Sequence, residues 1–200
     1  MATKTTKKTV VKTVKKIVKG KVTKKVTKKT VVKTVKTVAK KTTTESSLLL
    51  RVGVKAPLFR LPTTEGGTFL LKDYAGKRVV LYFYPKDMTS GCTVEAHEFS
   101  TVAKEFKKQG TYVFGISPDS IESHKKFIKK DKITFPLLAD EGHKVAEQYR
   151  VWIKKSMYGR EYMGIERSTF VIGKDGKIEH VYRKVSPEGH AVCVLEDIKK

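Results

Sequence analysis

Beyond about residue 48, apolar and polar positions fall into blocks that read as secondary structure. Residues 79–84 (VVLYFY) form an unbroken apolar and aromatic run ended by Pro85, the pattern of a strand buried on both faces. Phe99, Val102, Ala103 and Phe106 then recur at helical spacing with charges between them, which predicts an amphipathic helix over residues 92–108 stopped by Gly110. Residues 111–116 read as a second buried strand. A helix over 120–130, with Ile121, Phe127 and Ile128 on one side, precedes a short strand at 135–139 and a short helix at 143–149. Residues 168–172 and 177–183 flank Gly173-Lys174-Asp175-Gly176, a hairpin turn. Residues 188–199 close the chain as a helix.

Strands thus alternate with helices until a hairpin intervenes near the end. That order predicts an α/β domain whose mixed sheet carries helices on both faces. A thioredoxin-like architecture fits it, although the fold class alone fixes no function.

The first 44 residues follow a different rule. Lys, Thr and Val make up 39 of them, and KKTVVKTVK occurs at 7–15 and again at 28–36. This stretch holds 16 Lys with no Arg and no acidic residue, out of 43 basic and 20 acidic side chains in the whole chain. The rest is therefore only mildly basic. Dense like charge, β-branched residues and the lack of any aromatic predict a tail that is disordered when free. Glu45 is the first acid, so the reading is a basic tail over 1–46 and a domain over 47–200. Closely spaced lysines release counterions from a phosphate backbone without reading bases, so the tail, residues 1–44, is a candidate arm for DNA or another polyanion. Its composition resembles the lysine-rich arms of linker-histone-like and bacterial histone-like proteins. The alternative is a solubilising or targeting extension; mitochondrial transit peptides favour Arg and Ser instead.

Two cysteines, Cys92 and Cys193, are too few for a disulfide scaffold, which points to a reducing compartment. No run of 18 apolar residues and no apolar leader is present, so the expectation is a cytoplasmic protein, nucleoid-associated or nuclear if the tail binds DNA, neither secreted nor in a membrane. The five histidines (97, 124, 143, 180 and 190) show no metal-ligand spacing, and neither a phosphate-binding nor a dinucleotide glycine motif occurs; no metal and no cofactor are expected.

The chemistry concentrates in Tyr84-Pro85-Lys86-Asp87-Met88-Thr89-Ser90-Gly91-Cys92-Thr93. A strand ends at Pro85 and a helix begins near Cys92. A thiol at a helix N-terminus lies among unpaired backbone N–H groups and the positive end of the dipole, and both favour thiolate over thiol. Thr89 can place a hydroxyl near the sulfur, and Gly91 permits close backbone approach. Such a thiolate is a candidate nucleophile. Read singly, Cys92 is equally a core cysteine, Thr89 a helix cap and Arg167 a strand arginine.

Together these residues resemble a family. Pro85, Thr89 and Cys92 match the Pro-x-x-x-Thr-x-x-Cys signature of the peroxiredoxins (the AhpC/TSA family). YPKDMTSGCT resembles more narrowly the peroxiredoxin Q subfamily, the bacterioferritin comigratory proteins. The likeness runs from about Val52 to Ile198 and includes residues 53–57 (GVKAP), 115–117 (GIS), Asp119, Ser120, 136–140 (PLLAD) and 167–172 (RSTFVI). It implies a thiol-dependent peroxidase acting on hydrogen peroxide and organic hydroperoxides. Cys92 would be the peroxidatic cysteine that becomes a sulfenic acid, Thr89 the residue that holds the peroxide, Pro85 a shield against water, and Arg167 the cation that stabilises thiolate and leaving oxygen.

One departure matters. Many members of that subfamily carry a resolving cysteine five residues after the first, and here that position is His97. Five helical residues turn about 140° away from Cys92, so His97 reads as a partly exposed helix residue. Cys193, between Val192 and Val194, reads as a buried helix position; a resolving or intermolecular role is the alternative. The expectation is one-Cys behaviour in a monomer or weak dimer, with a thioredoxin-like protein or small thiol as reductant. Two other functions compete. A histone-like nucleic-acid-binding protein that has lost catalysis is opposed by the intact Thr89, Cys92 and Arg167. A thioredoxin-type disulfide oxidoreductase is opposed by the missing Cys-x-x-Cys.

Overall fold

The computed structural model describes residues 50–200; the tail of residues 1–46, with the disorder expected of it, lies outside the described residues. The first element is a short antiparallel hairpin of β1 (Arg60–Pro62) and β2 (Thr68–Leu70), followed by a 3-10 turn at Leu71–Tyr74. Then come β3 (Arg78–Phe83), α1 (Ser90–Lys108), β4 (Thr111–Ser117), α2 (Ile121–Asp131), β5 (Leu137–Ala139) and α3 (Lys144–Gln148). A second hairpin, β6 (Trp152–Met157) with β7 (Arg160–Ile165), precedes β8 (Ser168–Ile172), β9 (Ile178–Arg183) and α4 (His190–Lys199).

The main sheet has the order β5-β4-β3-β8-β9. β3 runs parallel to β4 and antiparallel to β8, so it sits where parallel pairing gives way to antiparallel. Alternation along the strands divides the core between two faces. Val79, Leu81 and Phe83 join Phe114, Ile116, Phe170 and Ile172 on one face, under the β1–β2 hairpin and α3. Val80, Tyr82, Val113 and Val171 occupy the other, packed against Phe99 and Phe106 of α1, Phe127 of α2 and Val194, Leu195 and Ile198 of α4. The expected α/β mixed sheet with helices on both faces is therefore the one observed, and a strand buried on both sides explains the unbroken apolar run.

Several expected boundaries move by one or two residues. The helix after β3 starts at Ser90 rather than 92, and the last helix at His190 rather than 188, with Gly189 ahead of it at φ 74°. Both hairpins outside the main sheet are absent from the sequence-based reading. β1 and β2 are three residues each, and β6–β7 is mostly solvent-facing with charged side chains, so neither writes a clear hydrophobic period.

The stretch before β2 also closes the borders of the sheet. On the β9 side, the Gly53 N–H donates to the Ile178 carbonyl (2.8 Å), the Ile178 N–H donates to Val54 (2.9 Å), and Lys55 bridges to Lys177. On the β5 side, Thr63 bridges to Leu138, and the Thr64 N–H donates to the Leu137 carbonyl (3.1 Å).

Inside the sheet, Gly115 lies beneath the Tyr82 ring. A Cβ there would stand 2.6 Å from the Tyr82 hydroxyl oxygen and 2.6 Å from Leu137 Cδ2. Tyr82 stacks on Phe99 and Tyr84 and is wholly buried, so it has nowhere to move. Gly115→Ala should therefore destabilise the domain by about 1–3 kcal/mol, the usual cost of overpacking. A lowered urea midpoint checks this; an unchanged midpoint would show that the ring yields.

Candidate active site

β3 delivers the chain to the end of the sheet, and α1 returns from it. Thr89 is the N-cap of α1 by backbone, with extended φ/ψ of −87°/150°, and its carbonyl accepts the first helical hydrogen bond from Thr93 at 2.8 Å. Its side chain does not cap; the hydroxyl donates to the Lys86 carbonyl at 3.1 Å. Cys92 is the third residue of α1 and lies in the first turn, where N–H groups have no intrahelical acceptor and the dipole is positive. It is also on the buried stripe of the helix and only 1% exposed.

The residue facing this sulfur comes from 75 positions away. Arg167, just before β8, places Nη2 3.2 Å from Cys92 Sγ. Its backbone is fixed by the Val185 N–H, which donates to the Arg167 carbonyl at 3.2 Å. Gly91 sits close by: a Cβ there would crowd Pro187 at 3.2 Å and make an ordinary contact with Arg167 Nη2 at 3.5 Å. Burial and the charges of Glu95 and Cys92 act on Arg167 in opposite senses, and its pKa is raised on balance. The site thus holds a firm cation.

The other arm of the guanidinium pairs with Glu95, one helical turn after Cys92. Glu95 is fully buried. Its Oε2 faces Arg167 Nη1, and its Oε1 has no hydrogen-bond partner among the described residues. Burial therefore outweighs the attraction of Arg167 and raises the Glu95 carboxyl to about 7, with Glu98 adding to the rise. The sequence reading overlooked this residue. The one available signal was its i, i+3 spacing from Cys92.

Further titratable groups respond to the same field. Burial, then Arg167, lowers the His190 imidazole to about 4, and its Nε2 lies 2.8 Å from Thr169 Oγ1. Lys155 of β6, whose ammonium donates to the Ile165 carbonyl, is lowered for the same two reasons. Among the described residues, no group of three or more His, Cys, Asp or Glu could hold a metal ion.

The structure thus brings Cys92 and Arg167 together and sets Thr89 at the start of the same helix. Pro85, half-buried, begins the loop between β3 and α1. His97 is exposed as expected (53%), 3.6 Å from Asp131. Cys193 corrects the sequence reading: it is exposed, not buried. The buried stripe of α4 is Ala191, Val194, Leu195 and Ile198, and Cys193 falls outside it beside the equally exposed Val192.

The model of the AhpC/TSA family matches residues 52–181. Peroxiredoxin Bcp of Bacillus subtilis is 46% identical over 152 residues, covering 76% of this chain and 97% of the relative. Peroxiredoxin Bcp of Escherichia coli K12 is 45% identical over 151 residues, with the same two coverages. Among solved structures, the bacterioferritin comigratory protein of Xanthomonas campestris, described through its alkyl peroxide reduction activity, superposes with a TM-score of 0.70 at 37% identity, covering 74% of this chain and 98% of that one.

The strained ionisation of Glu95 has a measurable consequence. Its folded pKa of about 7 lies above the ordinary 4.5, so the folded state binds the proton more tightly than the unfolded state does. Stability from this group is present at low pH and is lost as pH rises through about 4.5 to 7. Glu95→Gln should flatten that decline. Urea midpoints between pH 5 and 8 check it; equal slopes for both proteins would mean that Glu95 is ionised throughout.

Proposed function

The chain belongs to the AhpC/TSA family and is a thiol-dependent peroxidase of the peroxiredoxin class, and from that premise we propose which residues carry the reaction and what the tail adds. Cys92 is the nucleophile. Its thiolate attacks the terminal oxygen of a hydroperoxide, the O–O bond breaks as the S–O bond forms, and the electron pair leaves on RO⁻. The products are the Cys92 sulfenic acid and, after RO⁻ takes up a proton, an alcohol or water. The observation that supports this most is the 3.2 Å approach of Arg167 Nη2 to Sγ in the first turn of a helix.

Arg167 stabilises both the thiolate and the charge that grows on the leaving oxygen. Thr89 binds the peroxide. With its hydrogen given to Lys86, its hydroxyl oxygen keeps lone pairs to accept from the peroxide O–H. Pro85 limits water at the loop. Hydrogen peroxide and organic hydroperoxides are the substrates; the X. campestris relative's alkyl peroxide activity favours including the latter.

His97 stands where a resolving thiol would be, so the sulfenic acid is reduced by an external thiol, either a small molecule or a thioredoxin-like protein. A first thiol condenses with it, releasing water and leaving a mixed disulfide; a second thiol frees Cys92 and departs as the disulfide.

Residues 1–44 add a non-specific tether to DNA, supported by 16 Lys without one acid. The peroxidase would then act at the nucleoid or in the nucleus and protect DNA locally.

Two sets of measurements check these assignments, one on turnover and one on DNA binding. Cys92→Ser should abolish peroxide turnover with dithiothreitol, Arg167→Ala should slow it by about 10²-fold, and Cys193→Ser should retain it. A Cys92–Cys193 disulfide in peptide maps, with collapse of turnover in Cys193→Ser, would replace the one-Cys scheme. For the tail, duplex DNA binding should fall by about 10³–10⁵ in affinity between roughly 50 and 200 mM salt if six to ten lysines contact phosphate. Deleting residues 1–46 should remove binding and spare turnover. No binding at micromolar DNA in about 150 mM salt would leave the tail without this role.

A further inference from the structure

The loop that carries Pro85 and Thr89 has a buried anchor. Asp87 is 4% exposed although Lys86 and Met88 on either side are exposed. Three groups converge on its carboxylate. The Tyr84 hydroxyl donates to Oδ1 at 2.7 Å, the Ser123 hydroxyl donates to Oδ2 at 2.7 Å, and His124 Nδ1 lies 2.8 Å from Oδ2. The Asp87 N–H donates to Asp119 Oδ2 at 2.8 Å, and the Ser117 hydroxyl donates to that same oxygen at 2.7 Å.

His124 is fully buried, and its Nε2 lies 3.2 Å from the Leu138 carbonyl oxygen. Each ring nitrogen therefore faces an oxygen acceptor. Burial would raise the Asp87 carboxyl, but the hydrogen bond and charge of His124, with the hydrogen bonds of Tyr84 and Ser123, hold it below its ordinary value. The anchor thus ties the loop to the ends of β4 and β5 and to the first turn of α2.

Met88 separates this anchor from Thr89, and its φ is 57°. That left-handed conformation is uncommon for a non-glycine residue, and it turns the chain sharply between Asp87 and Thr89. The sulfur is held by other means: Arg167 reaches it from β8, and the α1 backbone carries it.

We propose that Asp87 is a positioning residue for peroxide reduction: clamped by Tyr84, Ser123 and His124, it holds Met88 in its strained turn and so sets the Thr89 hydroxyl against the peroxide. The inference rests on the assignment of Cys92 as nucleophile. It separates two properties of the site. Loosening the clamp misplaces the peroxide while leaving the thiolate as reactive as before toward a reagent that needs no such placement.

The test uses the full chain in a Cys193→Ser background, so that Cys92 alone reports. The second-order rate of Cys92 oxidation by hydrogen peroxide is measured beside its alkylation by iodoacetamide. Asp87→Asn keeps the shape but cannot accept the same three hydrogen bonds. It should slow the peroxide reaction by at least about tenfold, as small misplacements of reacting groups do, with alkylation within about twofold of the parent. Ser123→Ala and Tyr84→Phe, which each remove one donor, should slow peroxide in the same direction by less, and they carry the test if Asp87→Asn does not fold. Peroxide rates equal to the parent in all three variants would overturn the inference, as would parallel loss in both reactions. A parent that alkylates yet does not react with peroxide would instead overturn the Cys92 assignment.

Discussion

A single guanidinium, that of Arg167, faces two buried side chains at once, and much of the fold exists to let it do so. One arm meets the Cys92 sulfur and the other meets Glu95, a carboxylate with no exposure to solvent. Burial holds the proton on this acid up to about 7, and the cation beside it is what favours ionisation. Both acids ride one turn of α1, which fixes their spacing, while the arginine must arrive from β8. The antiparallel seam between β3 and β8 brings the two chain segments to the same end of the sheet. Arg167 is consequently committed in direction, since a fork satisfied at both prongs cannot swing away from the thiol.

The central part of this arrangement could be read from residues alone. The 79–84 run, the glycine turn at 173–176 and the helix start around Thr89 and Cys92 carry local signatures, because a strand buried on both faces, a tight turn and a helix start each restrict residue type, whereas Arg167 was singled out only by the family resemblance. What escaped depends on distant partners. Glu95 looks like one more charge on a charged helix until Arg167, 72 positions on, is placed beside it. Asp87 and His124 look like ordinary loop and helix residues until their 37-residue separation closes to 2.8 Å. Cys193 was misjudged for a different reason. Flanking valines suggested burial, but the phase of α4 is set by Ala191, Val194, Leu195 and Ile198, and one valine of the pair is itself exposed.

The two faces of the sheet divide the labour. The face under α1, α2 and α4 supports the reacting end through the Tyr84, Tyr82 and Phe99 stack. The opposite face, with α3 and the β1–β2 hairpin, is a conventional apolar core around Tyr149 and Phe170. On the first side the left-handed Met88 lies in the loop before α1, and, among the described residues, Tyr82 OH and Glu95 Oε1 are buried without hydrogen-bond partners.

The stretch from Gly53 to Thr64 has a meaning beyond architecture. It seals β9 at one end and β5 at the other, and open strand borders are templates on which a second chain can add. One continuous segment therefore guards the sheet on both sides, and it begins only a few residues after the polycationic stretch. Clipping through Lys55 would bare the β9 border, and loss of the whole segment through Thr64 would bare the β5 border as well, leaving strands on which a second chain can add.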